Sequence, residues 1–412
     1  MLERKDQQSQ NKPMRVGVLA YRMDFYTNKR LIIGKLPEAE YVPVRDWYSF
    51  QRWLALKVNR VVGKPLINTF NLNNQFEDFD LNRVDVLHFS NGISYGRTPW
   101  VSSFETILPR FSHLVTRHQG KEKPELRLDD HTRRGLEALA GKACLRILAW
   151  SQASARMERD LLADFPSEYT GAILDKMQIL HPPQEPLVEE VEPRDYRNEP
   201  LRFMLVGAAF FRKGGREILQ TFEKLVRQEG LPLRLTIVSA LRLEPYAAHE
   251  TEADAAWAKQ KLSENADWIE WYPQLPNAEV LELLKRTDVG LLPSYADTYG
   301  LSVLEAQACG KPVITTDIRA LPEINPETAG WLIKVPKNEL GEALYTTPEE
   351  RSELSNAIQT GLEAIVRSIV EDPDQIAVKG AAALVRIRQQ HDPQMYAEAL
   401  RQIYRSALKL TE

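Results

Sequence analysis

Cysteine is almost absent from this chain. Only Cys144 and Cys309 occur in 412 residues, far apart and each inside a strand-like or helix-like pattern. That excludes a disulfide framework and a cysteine metal site, and leaves both as small buried residues. Long apolar runs are lacking as well, since no uninterrupted stretch approaches the roughly 18 residues of a membrane span. The opening segment MLERKDQQSQNKPMR is polar and without the apolar core of a secretory signal, so the cytoplasm is the expected compartment. Basic residues are scattered rather than gathered into a stripe with interleaved aromatics, which speaks against nucleic acid as a partner.

What is present is an ordinary globular composition, 43% hydrophobic and 27% charged, in a chain long enough for about two to three domains. The net charge of −4 hides an asymmetry. Residues 1–150 carry 24 Lys and Arg against 16 Asp and Glu, whereas the remainder carries 29 against 41. A basic first part suits an anionic acceptor or a peripheral contact with membrane headgroups, and equally plain solubility and complementarity between domains.

Strand-like and helix-like segments alternate. Val16–Tyr21, Tyr41–Val44, Val84–Phe89, Trp100–Phe104 and Cys144–Ser151 read as strands, with Pro43 confining the second to a sheet edge. Trp47–Val62 and Ala153–Phe165 have helical spacing, and a further helix is expected to begin over Thr106–Phe111. Ligands of open α/β sheets gather beyond the carboxyl ends of strands. Glu105 stands at such an end, as a candidate active-site acid or as the cap of the next helix. Asn91, in the turn Ser90-Asn91-Gly92, is a plain turn residue or a place where backbone meets a ligand. His118, near an expected strand end and between Arg117 and Lys121, suits an anionic acceptor. Asp78-Phe79-Asp80 and Asp129-Asp130 read as loop and helix cap rather than metal ligands. The Pro- and Glu-rich segment 182–200 reads as a linker.

After it come strands at Leu201–Gly207, Leu233–Ala240 and Trp268–Tyr272, then the densest stretch of the chain, Val289–Ile324. Its order is strand, loop, helix, strand, the crossover of a parallel sheet. Gly300, Leu301 and Ser302 open the helix, where unpaired N–H groups and the dipole favour a phosphate. Asp297 and Glu305 bracket that end. Residues 348–408 are helical by spacing.

Pro293-Ser294, Asp297, Tyr299-Gly300-Leu301, Glu305-Ala306, Ala308-Cys309-Gly310, Pro312-Val313 and Pro322-Glu323 together resemble the donor-site signature of family 4 glycosyltransferases, which have the GT-B fold. The resemblance implies an α/β chain of two doubly wound, Rossmann-like domains facing a cleft. Residues 1–190 would form the acceptor-side domain, 191–375 the domain that binds a nucleotide-sugar donor, and 376–412 the helices crossing back. It implies transfer of a sugar from a nucleotide diphosphate sugar to an acceptor hydroxyl, with retention and without metal or other cofactor. In that family two glutamates enclose seven residues; here the first is Asp297, implied to act on the transferred sugar. Glu105 stands about where many members have a histidine. Gly207, Arg212, Lys213, Tyr299, Gly300, Leu301 and Glu305 fall to the donor, Lys213 and Gly214 matching the phosphate-reaching lysine and its glycine. Ala208 replaces a usual arginine, and Arg212 is the expected substitute. Asn91 and His118 fall to the acceptor, a glycan, lipid-linked glycan or small molecule. An epimerase or hydrolase of sugar nucleotides on the same fold, or a nucleotide-sugar-binding protein without turnover, remain the alternatives.

Overall fold

The computed structural model describes residues 13–123, 128–165, 168–192, 194–244 and 246–411. The chain divides into two units, one made of Met1–Arg117, Pro124–Pro183 and Pro393–Glu412, the other of His118–Lys123 and Gln184–Asp392. Each is built on a six-stranded sheet whose described pairings are all parallel.

In the first unit the principal strands are β1 (Met14–Leu19), β2 (Ala39–Val44), β3 (Val86–Ser90), β4 (Trp100–Phe104), β5 (Cys144–Ala149) and β6 (Met177–Ile179). Their order is β2-β1-β3-β4-β5-β6. β2 is an edge strand, where Pro43 forfeits no ladder bond it needs. Every residue of β3 and β4 is buried, the continuous burial of strands covered on both faces. The helix α1 (Trp47–Val62) follows β2, capped by Asp46, whose carboxylate accepts from the N–H groups of Tyr48 and Ser49.

The second unit holds β7 (Leu201–Val206), β8 (Leu233–Val238), β9 (Ile269–Tyr272), β10 (Val289–Leu292), β11 (Val313–Thr316) and β12 (Gly330–Ile333). Their order, β9-β8-β7-β10-β11-β12, is that of a doubly wound sheet. The helices that matter for the site are α2 (Gly215–Glu223) and α3 (Leu301–Ala308). The helical tail is three helices, α4 (Pro348–Glu371), α5 (Gln375–Gln390) and α6 (Pro393–Thr411). Of the expected crossing segment 376–412, α5 lies in the second unit and α6 in the first. Tyr396 of α6 donates to the Leu31 carbonyl at 2.9 Å and Tyr404 meets His88 Nδ1 at 2.6 Å.

Two local expectations are corrected. Residues 106–111 form no helix; the next helix is Ser112–Thr116, because Pro109 biases the residue before it away from helical backbone. His118 therefore follows a short helix rather than a strand. Asp129 does cap a helix, accepting from the Thr132 N–H at 2.6 Å.

Candidate active site

The second sheet reverses its winding between β7 and β10, and ligands of doubly wound sheets collect beyond the carboxyl ends of strands at such a point. Gly207 follows β7 directly, with φ +146°. A Cβ there would stand 2.3 Å from Lys213 Cε and 2.5 Å from its Cδ, so only glycine lets the lysine stem lie across the strand end. Gly214, at φ +79°, caps α2, and its missing Cβ would fall 2.2 Å from the Pro293 carbonyl oxygen. The two loops are stitched where these glycines let them approach. The Tyr295 N–H donates to the Arg212 carbonyl at 2.9 Å, and the Ser294 hydroxyl lies 2.9 Å from that oxygen and 3.0 Å from the Ala296 carbonyl.

This close approach fixes the charges. Lys213 Nζ lies 3.2 Å from Asp297 Oδ2, with both side chains largely buried. The Tyr299 N–H donates to Asp297 Oδ1 at 3.2 Å. Burial opposes ionisation of Asp297, but the charges of Lys213 and Arg212, with the Lys213 and Tyr299 hydrogen bonds, outweigh it and hold the carboxyl below its usual range. Arg212 itself donates from Nε to Glu244 at 2.9 Å and from Nη1 to the Ala296 carbonyl at 2.6 Å. The expected aim of Arg212 at a diphosphate is thus not the geometry seen; its fork is turned to an acid and to the backbone beside Asp297.

Helix α3 begins just beyond. Gly300, at φ +89°, is its N-cap and offers no side-chain acceptor to the first turn. A Cβ at Gly300 would press within 2.7 Å of Leu321 Cδ2. The first N–H groups of a helix have no partner within it, and Leu301 and Ser302 stand there. Glu305, one turn on, is buried, and the Asn277 amide approaches its Oε1 at 3.4 Å. The Tyr299 ring is buried rather than presented.

In the first unit Asn91 and Glu105 come together beyond adjacent strands β3 and β4. The Asn91 amide donates to Glu105 Oε1 at 3.2 Å, and the Glu105 N–H returns a bond to Asn91 Oδ1 at 3.1 Å. Asn91 takes φ +60°, which asparagine tolerates, and its own N–H donates to the Ser103 carbonyl at 2.7 Å. His118 belongs to the second unit, where the Asn338 amide donates to its carbonyl at 2.9 Å. Its neighbour Arg117 is buried in an ion pair with Asp164. Glu244 and Asn277 were not legible as site residues. Nothing in the sequence near either carries a signal; only folding brings them beside Arg212 and Glu305.

Residues 189–361 match the family described as Glycosyl transferases group 1. Over 213 residues, 51% of this chain and 44% of the relative, the sequence is 27% identical to glycogen synthase of Mycobacterium tuberculosis. The chain spans about half the length of the curated relatives it matches. Sucrose-phosphate synthase from Thermosynechococcus elongatus has a similar fold, with a TM-score of 0.56 at 14% identity over 99% of this chain and 94% of the other. Anabaena HepE, solved in complex with UDP-glucose, gives a TM-score of 0.53 at 14% identity over 90% and 86% of the two chains. Residues 189–361 therefore resemble the glycosyl transferases group 1 family, and the chain as a whole has the GT-B fold of two Rossmann-like α/β units.

Proposed function

We propose that the protein is a glycosyltransferase that moves a sugar from a nucleotide diphosphate sugar to an acceptor hydroxyl, with retention and without a metal ion. The observation that carries this reading is Lys213, laid across Gly207 at the switch point of the second sheet and held by Asp297 at the mouth of α3. A diphosphate leaving group gains negative charge as the sugar C1–O bond breaks. A fixed ammonium and a helix N-terminus beside it stabilise that change more than the ground state. Lys213, Gly207, Gly300 and Leu301 are assigned to the diphosphate, with Tyr299 shaping the turn, and Glu305 to hydroxyls of the donor. Asp297 is assigned to the transferred sugar: once a diphosphate draws Lys213 away, its carboxylate is left to accept from sugar hydroxyls. The acceptor oxygen forms the new bond to C1 on the face the diphosphate leaves, and its proton passes to a departing phosphate oxygen. Glu105 and Asn91 are assigned to the acceptor side. HepE was solved with UDP-glucose, which makes uridine nucleotides the first donors to try.

Calorimetry with UDP, GDP and ADP, then release of nucleotide from the matching sugar nucleotides with and without acceptor extracts, tests the reading. Lys213→Ala should lower turnover at saturating donor by about 10²–10³-fold, the loss typical of removing a donor to developing negative charge. Unchanged turnover in the folded variant would remove the clamp. Product formed equally well without acceptor would make the protein an epimerase or hydrolase, and nucleotide binding with no reaction would make it a binding protein.

A further inference from the structure

Helix α1 is amphipathic the wrong way round for a helix packed on a sheet. Only Ala55 among its sixteen residues is fully buried. The side facing the unit is largely polar: Arg52 stacks over the Tyr21 ring at 4.5 Å, and Asn59 exchanges hydrogen bonds of 2.9 Å each way with the backbone of Ile67. The side facing solvent carries the bulk. Trp47, Phe50, Trp53 and Leu54 are each 48–49% exposed and Val61 87%. Trp47 and Phe50 stack with centroids 5.5 Å apart, and Phe50 and Trp53 at 5.9 Å, so the aromatics form one surface rather than scattered side chains. The Asn59–Ile67 clasp extends it by holding the next turn, with Leu66 63% exposed, against the helix.

Leaving such a surface in water costs roughly 25 cal/mol for each Å² of apolar area, and what covers it is decided by its charge. From Arg45 to Lys64 there are five cations, Arg45, Arg52, Lys57, Arg60 and Lys64, and a single acid, Asp46, occupied as the helix cap. Lys57 sits 3.8 Å from the centre of the Trp53 ring, placing a cation inside the aromatic surface. Indole rings favour the boundary between headgroups and acyl chains, and lysine and arginine are drawn to anionic headgroups. Among the described residues no helix is long and apolar enough to cross a membrane. We infer that α1, with the turn through Ile67, is an interfacial helix that lays the first unit on an anionic lipid bilayer, its Trp47–Val61 face immersed to headgroup depth and Lys57 and Arg60 at the phosphates. The helix begins beyond the carboxyl end of β2, and Tyr21, which stacks on Arg52, neighbours Arg22, whose guanidinium donates to the Ser90 carbonyl at 2.7 Å beside Asn91. The membrane-facing helix and the Asn91–Glu105 pair thus share one edge of the first sheet. Docking itself does not depend on the transferase reading.

Flotation of the full chain with vesicles of phosphatidylcholine alone, or mixed with phosphatidylglycerol, is the test. Binding is expected only with phosphatidylglycerol and should weaken severalfold as salt rises from about 0.1 to about 0.5 M. Phe50→Ser with Leu54→Ser should lower partitioning by about tenfold or more. Lys57→Glu with Arg60→Glu should lower it by about 25-fold or more and erase the preference for phosphatidylglycerol, since each cation near the surface counts for about fivefold. All four positions are exposed, so unchanged melting and circular dichroism would show that both variants fold. Absence of flotation with the parent, or full binding by the Phe50/Leu54 variant, would overturn the inference. So would a concentration-dependent dimer that the Phe50/Leu54 variant abolishes while the parent ignores vesicles, which would make a second copy the cover.

Discussion

Each unit places an acid beyond the carboxyl edge of its sheet, and the two are held in opposite ways. In the second unit Asp297 meets the Lys213 ammonium, and Arg212 stands close enough to help keep it ionised. In the first, Glu105 is paired with the neutral amide of Asn91. Composition points the other way, since residues 1–150 are the basic part and the rest the acidic part. Net charge over a hundred residues describes surfaces, where water screens it; the field in a site is set by a few charges taken out of water. Part of that basic count lies on α1, in Arg52, Lys57 and Arg60.

Asp297→Asn removes the negative partner of Lys213 while keeping the side-chain shape. We expect turnover to fall about a hundredfold, as a carboxylate acting on the transferred sugar requires, with free nucleotide bound as tightly as before or tighter because Lys213 no longer has a competing anion. Equal losses in nucleotide affinity and turnover would place Asp297 on the nucleotide instead. Asp297→Glu is the companion. Gain or parity would show that the shorter acid is a compromise, and a large loss that the Lys213 contact is built to its length.

Much of the second unit was legible because its signals are local. Val289–Leu292 is a strand with the bounds its apolar run gives, and Gly300 and Gly310 stand at the helix ends where glycine is expected, both at positive φ. Trp47–Val62 was equally legible as a helix. Which face it buries was not, because tryptophan and phenylalanine at helical spacing read as core, and only the packed structure shows them outside. The partner of Arg212 was hidden for a related reason. Glu244 lies in a loop after β8, and nothing local ties it to the loop after β7. His118 was misplaced because its neighbours set a helix and its carbonyl a contact with distant Asn338.

Glu158 lies buried in the first unit with Oε2 accepting only the Leu108 N–H at 2.7 Å and, among the described residues, no hydrogen-bond partner for Oε1. Burial pushes its pKa up to about 8, against a single opposing hydrogen bond. Because the folded value is raised, this group stabilises the fold fully below the unfolded pKa of about 4.5, and the contribution is lost as pH rises through about 8. Each pH unit inside that window costs up to about 1.4 kcal/mol, so roughly 2 kcal/mol should disappear between about pH 6 and about pH 8. Glu158→Gln keeps an acceptor for Leu108 and cannot ionise. Urea unfolding across this range should slope downward for the parent and be flatter for the variant; parallel slopes would show that Glu158 ionises as readily folded as unfolded.

The smallest expected effect is at Arg212, and it decides how many cations the second unit's site commits to the reaction. The guanidinium is occupied, with Nε on Glu244 and Nη1 on the Ala296 carbonyl. To reach a diphosphate it would have to give up both bonds, and a charged hydrogen bond contributes about 1.5 to 3 kcal/mol. Holding the backbone beside Asp297 is a role it already fills, so Arg212→Ala should reduce turnover by less than about tenfold, well short of Lys213→Ala. Glu244→Gln separates the two roles. If Arg212 only braces the loop, weakening its tether should leave turnover unchanged or slightly lower. Should the arginine swing to the diphosphate during the reaction, the same change frees it in advance, and turnover at saturating donor would rise, a gain that disappears in the Arg212→Ala/Glu244→Gln double variant. That rise would give the site two mobile cations, and its absence leaves Lys213 and the α3 N-terminus as the clamp.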